Sequence, residues 1–357
     1  MGYQKASAHY FQLAGVTSRP DSKDTLDELA LLPGVSSPST PLRYNDVIQL
    51  IDVQRPYYAL FDMAQLSNAA KPTVRGYFLK ESRRHEENGD PISGSELGRH
   101  SAIMGSVACA LANPVKEKHY YLAFGAKSER IQGGGQERSY ELDDEQADLI
   151  HALDQSSRSG GLFKGVAECT LFRRGMAKAV ITIFHWGTSG TYEVYGRFEI
   201  TYAVFTSEAF LKTVPPLPHG YAAPSAFPPK GRAGDRSMTS CSPYVDPVSI
   251  VETPELHTGD TRTGELRFLD ASKAAGHFPL LPALPVSVLG SNALKCVSFF
   301  EGIENYRVLN CKLKFSKLVW LGQTVRFCAS RMGENAYRIT FKVGEEQVGS
   351  MEVVLDV

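Results

Sequence analysis

Gly276-His277-Phe278-Pro279-Leu280-Leu281-Pro282-Ala283-Leu284-Pro285 is the stretch on which the reading of this chain turns. A proline at every third place from Pro279 to Pro285 restricts φ and removes backbone donors, so neither a regular helix nor an interior strand can run through it. The stretch is a stiffened loop. Val286 to Phe299 follows, free of proline and rich in Ala, Leu and Val, and predicts a helix. Before the loop, Leu266, Phe268 and Asp270 alternate with Glu265, Arg267 and Leu269, which predicts an extended segment over Thr263 to Asp270. After the helix come four strand candidates, Tyr306 to Leu318, Thr324 to Met332, Ala336 to Val343 and Gln347 to Leu355. The turn-like spacers Leu321-Gly322-Gln323, Gly333-Glu334-Asn335 and Gly344-Glu345-Glu346 separate them.

The first half of the chain repeats this order. Tyr57 to Leu66 and Thr73 to Lys80 are extended candidates, and a polar loop, Glu81 to Pro91, precedes a helix from about Ser95 to Ala112 that Asn113-Pro114 closes. His119 to Ile131, Val166 to Arg173, Ala177 to Trp186 and Thr191 to Phe205 are the strands that follow. An insertion, 132–165, interrupts them, with a Gly-rich start and a short acidic helix around Asp143 to Leu153. A long helix followed by an antiparallel meander predicts an α+β fold in which a sheet wraps around one helix. Two copies predict a pseudo-dimer whose sheets pair side by side.

Domain boundaries come from composition. Seven prolines and three glycines punctuate Val214 to Pro243, which reads as a linker. The Ser/Pro-rich stretch Leu32 to Pro41 sets off a leader. The expected division is therefore 1–41 as leader and peripheral segment, 42–213 as the first domain, 214–243 as linker and 244–357 as the second domain.

The chain has 357 residues, 43% of them hydrophobic and 22% charged, which excludes wholesale disorder. Its 38 Lys and Arg against 39 Asp and Glu leave a net charge of −1, with no field to draw in nucleic acid. The longest apolar runs, such as Phe278 to Leu289, are broken by proline and fall short of the ~20 residues a membrane helix needs. Met1 to Pro20 has no apolar core, so no secretory signal is expected. Six scattered cysteines without a C-x-x-C pair suit free, buried thiols in a reducing cytoplasm better than a disulfide framework or a zinc cage. No His/Cys/Asp spacing recommends a metal.

The loop Gly276-His277-Phe278-Pro279-x-x-Pro282-x-x-Pro285 resembles the signature loop of the hot-dog-fold β-hydroxyacyl-ACP dehydratases. Ser316-Lys317-Leu318-Val319-Trp320-Leu321-Gly322-Gln323 is similar to the strand–turn–strand after that family's central helix. In the first half, Asp46-Val47-Ile48-Gln49-Leu50-Ile51 and Gln54-Arg55-Pro56-Tyr57-Tyr58-Ala59-Leu60-Phe61-Asp62 look like its opening helix and first strand. The resemblance covers most of residues 42–131 and 166–205, plus 244–357. It implies a double hot-dog fold and a substrate held as a thioester, on the phosphopantetheine of an acyl carrier protein or on CoA. No further cofactor is needed. A ketosynthase is a further candidate partner, and the chain would act as a monomeric pseudo-dimer or pair into a homodimer.

The resemblance also assigns roles. The loop histidine of one hot-dog takes the α-proton of a 3-hydroxyacyl thioester, and an acidic group on the central helix of the other protonates the leaving hydroxyl. His277 matches the base, and a histidine suits the task because its ordinary pKa of ~6.5 lies near working pH. Phe278, Pro282 and Pro285 on the loop, with Arg99 on the first helix, are the expected substrate contacts. Two departures matter. Leu280 and Val286 stand where the family has glycine, and the acid position of the second helix falls near Ser291, so the acid must come from the first helix.

Its alignment stays open. Matching Pro91 to Pro279 puts Gly89 opposite His277, whereas matching Gly94 to Val286 puts His85 there and Arg99 at the acid position. His100, Ile103, Val107 and Leu111 share one helical face that Glu96 extends by a turn, which makes Glu96 and His100 the two candidate proton donors. One working centre per chain is therefore expected.

Other motifs point less sharply. Gly133-Gly134-Gly135 lacks the frame of a phosphate loop and reads as flexibility. Arg83-Arg84-His85 and Arg173-Arg174 are solvated surface by default, and could meet an acidic carrier protein or a phosphopantetheine phosphate. The leading expectation is a hydro-lyase of fatty-acid or polyketide-type biosynthesis. The alternatives are a cyclase or aromatase on a poly-β-keto thioester, a hot-dog thioesterase, and a non-catalytic partner of a carrier protein or synthase.

Overall fold

Each half builds the same unit around one buried helix. The computed structural model describes residues 39–55, 57–67, 69–80, 92–131, 161–186, 192–213, 249–252, 261–267, 276–278, 283–303 and 305–357. The leader to residue 38, nearly all of the expected insertion, and the linker lie outside the described residues.

The first half begins with the short edge strand β1 (Ser39–Pro41) and helix α1 (Tyr44–Ile51). Strands β2 (Asp62–Leu66) and β3 (Thr73–Leu79) follow, then helix α2 (Gly94–Ala112) and strands β4 (His119–Arg130), β5 (Leu162–Arg173), β6 (Met176–Trp186) and β7 (Tyr192–Thr206). A short helix α3 (Ser207–Thr213) closes it. The second half has β8 (Ser249–Glu252), β9 (Thr261–Arg267), helix α4 (Val286–Glu301), and β10 (Arg307–Phe315), β11 (Thr324–Gly333), β12 (Ala336–Val343) and β13 (Glu346–Asp356). The order is two strands, a helix and four strands, twice over.

All thirteen strands join one antiparallel sheet in the order β1-β2-β3-β5-β6-β7-β4-β10-β13-β12-β11-β9-β8. Without β1 that order is a palindrome: reading outward from the β4–β10 pair, the strands of the two halves match one for one. The seam is a five-residue register, from Asn310 against Glu129 to Lys314 against Gly125. This is the α+β double hot-dog, with α2 and α4 each covered by its own half's sheet and touching each other.

Local chemistry explains the helices. Ser93 opens α2, its hydroxyl accepting the Glu96 backbone N–H at 3.2 Å and so satisfying one donor of the first turn. Gly302, at φ 66°, closes α4, and the Ile303 N–H donates back to the Ser298 carbonyl at 2.8 Å. α2 is buried on nearly all sides: Leu97, Ile103, Met104, Val107 and Ala108 are inside, and so are Glu96, Arg99 and His100. Gly76 on β3 and Gly165 on β5 pair across the sheet, and a Cβ on either would strike Met104. The sheet therefore has a notch where α2 lies closest to it.

Besides the short edge strands β1 and β8, three local features differ from the sequence reading. Tyr57 to Leu60 is not strand; the Tyr58 N–H bonds back to the Gln54 carbonyl at 2.9 Å, and β2 starts only at Asp62. β5 begins at Leu162, inside the span read as insertion, because the buried Leu162 and Phe163 pair with Leu79 and Phe78. α3 was not foreseen at all. Its Phe210 is fully buried against Tyr120, ring centroids 4.2 Å apart. Among the described residues no helix is long and apolar enough to cross a membrane, and Cys109, Cys169, Cys296, Cys311 and Cys328 carry free thiols.

Candidate active site

The loop from Gly276 to Pro285 ties the two halves together at its ends. On the outward side His277 bridges Val53 of the first half, and the Gly276 carbonyl accepts the Gln54 N–H at 2.7 Å. Gly276 has φ 78°, and a Cβ there would overlap the Gln54 carbonyl, so both conformation and space demand glycine. On the return side Ala283 bridges Trp320, and the Leu284 N–H donates to the Val319 carbonyl at 2.8 Å, both in the second half. Phe278, at φ 50°, packs its buried ring against Tyr120 and Phe210. The α3 helix, absent from the sequence reading, thus helps to anchor the loop.

This docking sets the His277 ring at the wall of a cavity of about 160 Å³ between the halves. The lining is mostly apolar, and it includes the opening turns of both central helices. Gly94, Ser95, Gly98 and Ala102 of α2 line it, as do Val286, Ser287, Gly290 and Leu294 of α4. These are equivalent positions, because α2 begins at Gly94 where α4 begins at Val286. That equivalence matches the alignment of Gly94 with Val286, which sets Arg99 opposite Ser291. The partner position it gives to His85 lies outside the described residues, as does Gly89.

His277 has a defined tautomer. Its Nδ1 lies 3.0 Å from the Ala283 carbonyl, which can only accept, so Nδ1 carries the proton and Nε2 keeps the lone pair. Burial pushes the imidazole down to about 4, against a smaller opposing effect of the Ala283 carbonyl, so the ring is neutral at pH 7. The Tyr57 ring of the first half stands 4.8 Å from it, tilted by 52°. Tyr57 is buried and lines the cavity, and its hydroxyl is hydrogen-bonded with Ser287 in the first turn of α4. Burial raises the phenol, with the nearby Arg99 charge and Ser287 opposing.

Of the residues expected from sequence, His277, Phe278 and Arg99 line the cavity. Arg99 is fully buried, its guanidinium 5.6 Å from the centre of the Tyr57 ring. Pro285 caps α4 beside the lining residues Leu284 and Val286; Pro282 lies outside the described residues. Glu96 and His100 are fully buried in α2 but are not among the lining residues. His100 stacks on Phe78 at 4.1 Å, and its Nε2 is 3.1 Å from Arg99 Nη2, so it sits behind the arginine. Burial and the Arg99 charge hold His100 well below the usual histidine range. Among the described residues no Asp or Glu lines the cavity. Sequence reasoning passed over Tyr57 and Ser287, since only the docking of the two halves brings them to His277.

A neutral imidazole, a tyrosine, an arginine and two helix amino termini around an apolar cavity define the site of this double hot-dog. No family model matches the chain, and no curated protein matches it. Solved structures with similar architecture include an acyl-ACP thioesterase from Bacteroides thetaiotaomicron, at 11% identity and TM-score 0.41 over 80% of this chain and 98% of that one. An acyl-CoA thioesterase II from Mycobacterium marinum aligns at 11% identity and TM-score 0.42 over 87% and 96%. A MaoC-like dehydratase from Phytophthora capsici aligns at 11% and 0.35 over 66% and 72%. The fold rests on strand order and helix placement, and these likenesses add no chemistry to it.

Proposed function

We propose that the protein dehydrates a 3-hydroxyacyl chain presented as a thioester, on acyl carrier protein or CoA, with His277 as the base. One observation carries this reading: the His277 ring stands at the cavity wall with Nδ1 bound to the Ala283 carbonyl, leaving the Nε2 lone pair as the basic atom. The apolar lining suits an acyl chain, and the backbone N–H groups of the helix starts suit the oxygen of an enolising thioester. Loss of the C2 proton creates an imidazolium. The carbonyl at Nδ1–H stabilises it as it forms, offsetting part of the weakness that burial imposes on this base.

Hydrolysis of the thioester is the second reading, favoured by the lack of a carboxyl group in the lining among the described residues. His277 would then activate water rather than a C–H bond. Product analysis separates the two. With a 3-hydroxyacyl thioester, the expected product is the 2-enoyl thioester, and His277→Ala is expected to slow its formation by about 100-fold or more, the lower range for removal of a general base. Release of free acid with no enoyl product would transfer the assignment to hydrolysis. Binding of carrier protein without turnover would leave a scaffold.

A further inference from the structure

Dehydration needs a proton for the departing hydroxyl as well as a base, and the cavity wall offers an unassigned group for it. Tyr57 belongs to the first half and His277 to the second, yet their rings are 4.8 Å apart in the same wall. A base and a donor this close can serve neighbouring carbons of one chain. We propose that Tyr57 is the proton donor of this site, giving its phenolic proton to the C3 hydroxyl of the substrate as His277 Nε2 removes the C2 proton. The inference rests on the dehydratase reading of the cavity.

Two features of the surroundings support it. The Ser287 hydroxyl, within hydrogen-bonding reach of the phenolic oxygen, stabilises that oxygen as the proton leaves. The buried Arg99 guanidinium, 5.6 Å from the ring centre, favours the same transient phenolate. Arg99 cannot itself give up a proton near neutral pH, which leaves it an electrostatic role. In the balanced step the C2–H and C3–O bonds break and the C2–C3 double bond forms. The hydroxyl leaves as water with the Tyr57 proton, and the proton held by His277 returns to the phenolate through solvent.

The test uses the full-length protein, Tyr57→Phe, and three thioesters of one chain length. The 3-hydroxyacyl thioester needs a base and a donor. A 3-fluoroacyl thioester needs only the base, since fluoride departs without taking up a proton. A saturated acyl thioester in D2O reports C2 proton exchange alone. The expected result is a drop of about 100-fold or more in water elimination by Tyr57→Phe, the range for loss of a general acid, with fluoride elimination and C2 exchange within about threefold of wild type. Water elimination near the wild-type rate overturns the inference while leaving His277 in place. An equal loss of all three reactions also overturns it, making Tyr57 a support for the loop. Wild type inactive on all three overturns the dehydratase reading itself, and the inference with it.

Discussion

Glu96 is fully buried and His277 half-buried in the cavity wall, and desolvation moves their protonation in opposite directions. Desolvation raises the Glu96 carboxyl from 4.5 to about 8, against a smaller opposing effect of Lys80. It lowers His277 from 6.5 to about 4. Between pH 4 and 6.5 the unfolded chain holds the His277 proton and the folded one does not, so this group adds stability as pH rises and is constant above 6.5. Glu96 behaves inversely. Between pH 4.5 and 8 the folded state keeps a proton that the unfolded state has released, so stability is lost as pH rises through that window. Above pH 6.5 the Glu96 effect stands without opposition from His277. The urea midpoint of the wild type is expected to fall between pH 6.5 and 8.5, and that of Glu96→Gln to stay more nearly level. Parallel falls in the two proteins would refute the burial argument.

Helix α2 shows the same residue type serving two ends. At Gly105 a Cβ would press into the Tyr202 hydroxyl, which donates to the Ala102 carbonyl at 3.0 Å inside the core. At Gly98 a Cβ would meet nothing within 4 Å, because that position faces the cavity. Alanine improves helix propensity at both by up to about 1 kcal/mol. At Gly105 overpacking of about 1–3 kcal/mol wins, so Gly105→Ala is expected to melt lower than wild type. Gly98→Ala is expected to melt as high or higher. Gly98→Leu is expected to fold yet lose turnover of long-chain thioesters, as the side chain fills the acyl space. Equal melting shifts at both positions would argue against this placement of the helix.

Much of this was legible in the chain itself, and for a physical reason. Central helices and meander strands are local patterns: proline-free apolar runs after a stiff loop, then alternation broken by Gly-containing turns. Ala336–Val343 matches the sequence reading residue for residue, and α2 starts within one residue of it. Three short elements escaped. β1 and β8 are edge strands of three and four residues, and α3 has seven, too few for periodicity to register. His277 and Arg99 could be named from motif and register. Tyr57 could not, because its role depends on a contact between residues far apart in the chain, fixed by the bridge from His277 to Val53.

At the scale of the whole molecule, the palindromic sheet matters because it makes one cavity out of two incomplete halves. The second half brings His277 on its loop, and the first brings Tyr57 and Arg99; the seam between β4 and β10 sets them against each other. Equivalent positions of the two central helices line both sides of the cavity, as the repeated unit requires. Hydrogen–deuterium exchange at C2 of a saturated acyl thioester isolates the chemistry assigned to this junction, since nothing can leave and only the base acts. Wild type is expected to wash deuterium into C2, and His277→Ala to do so at least about 100-fold more slowly. Equal exchange by the two proteins would remove His277 from the reaction.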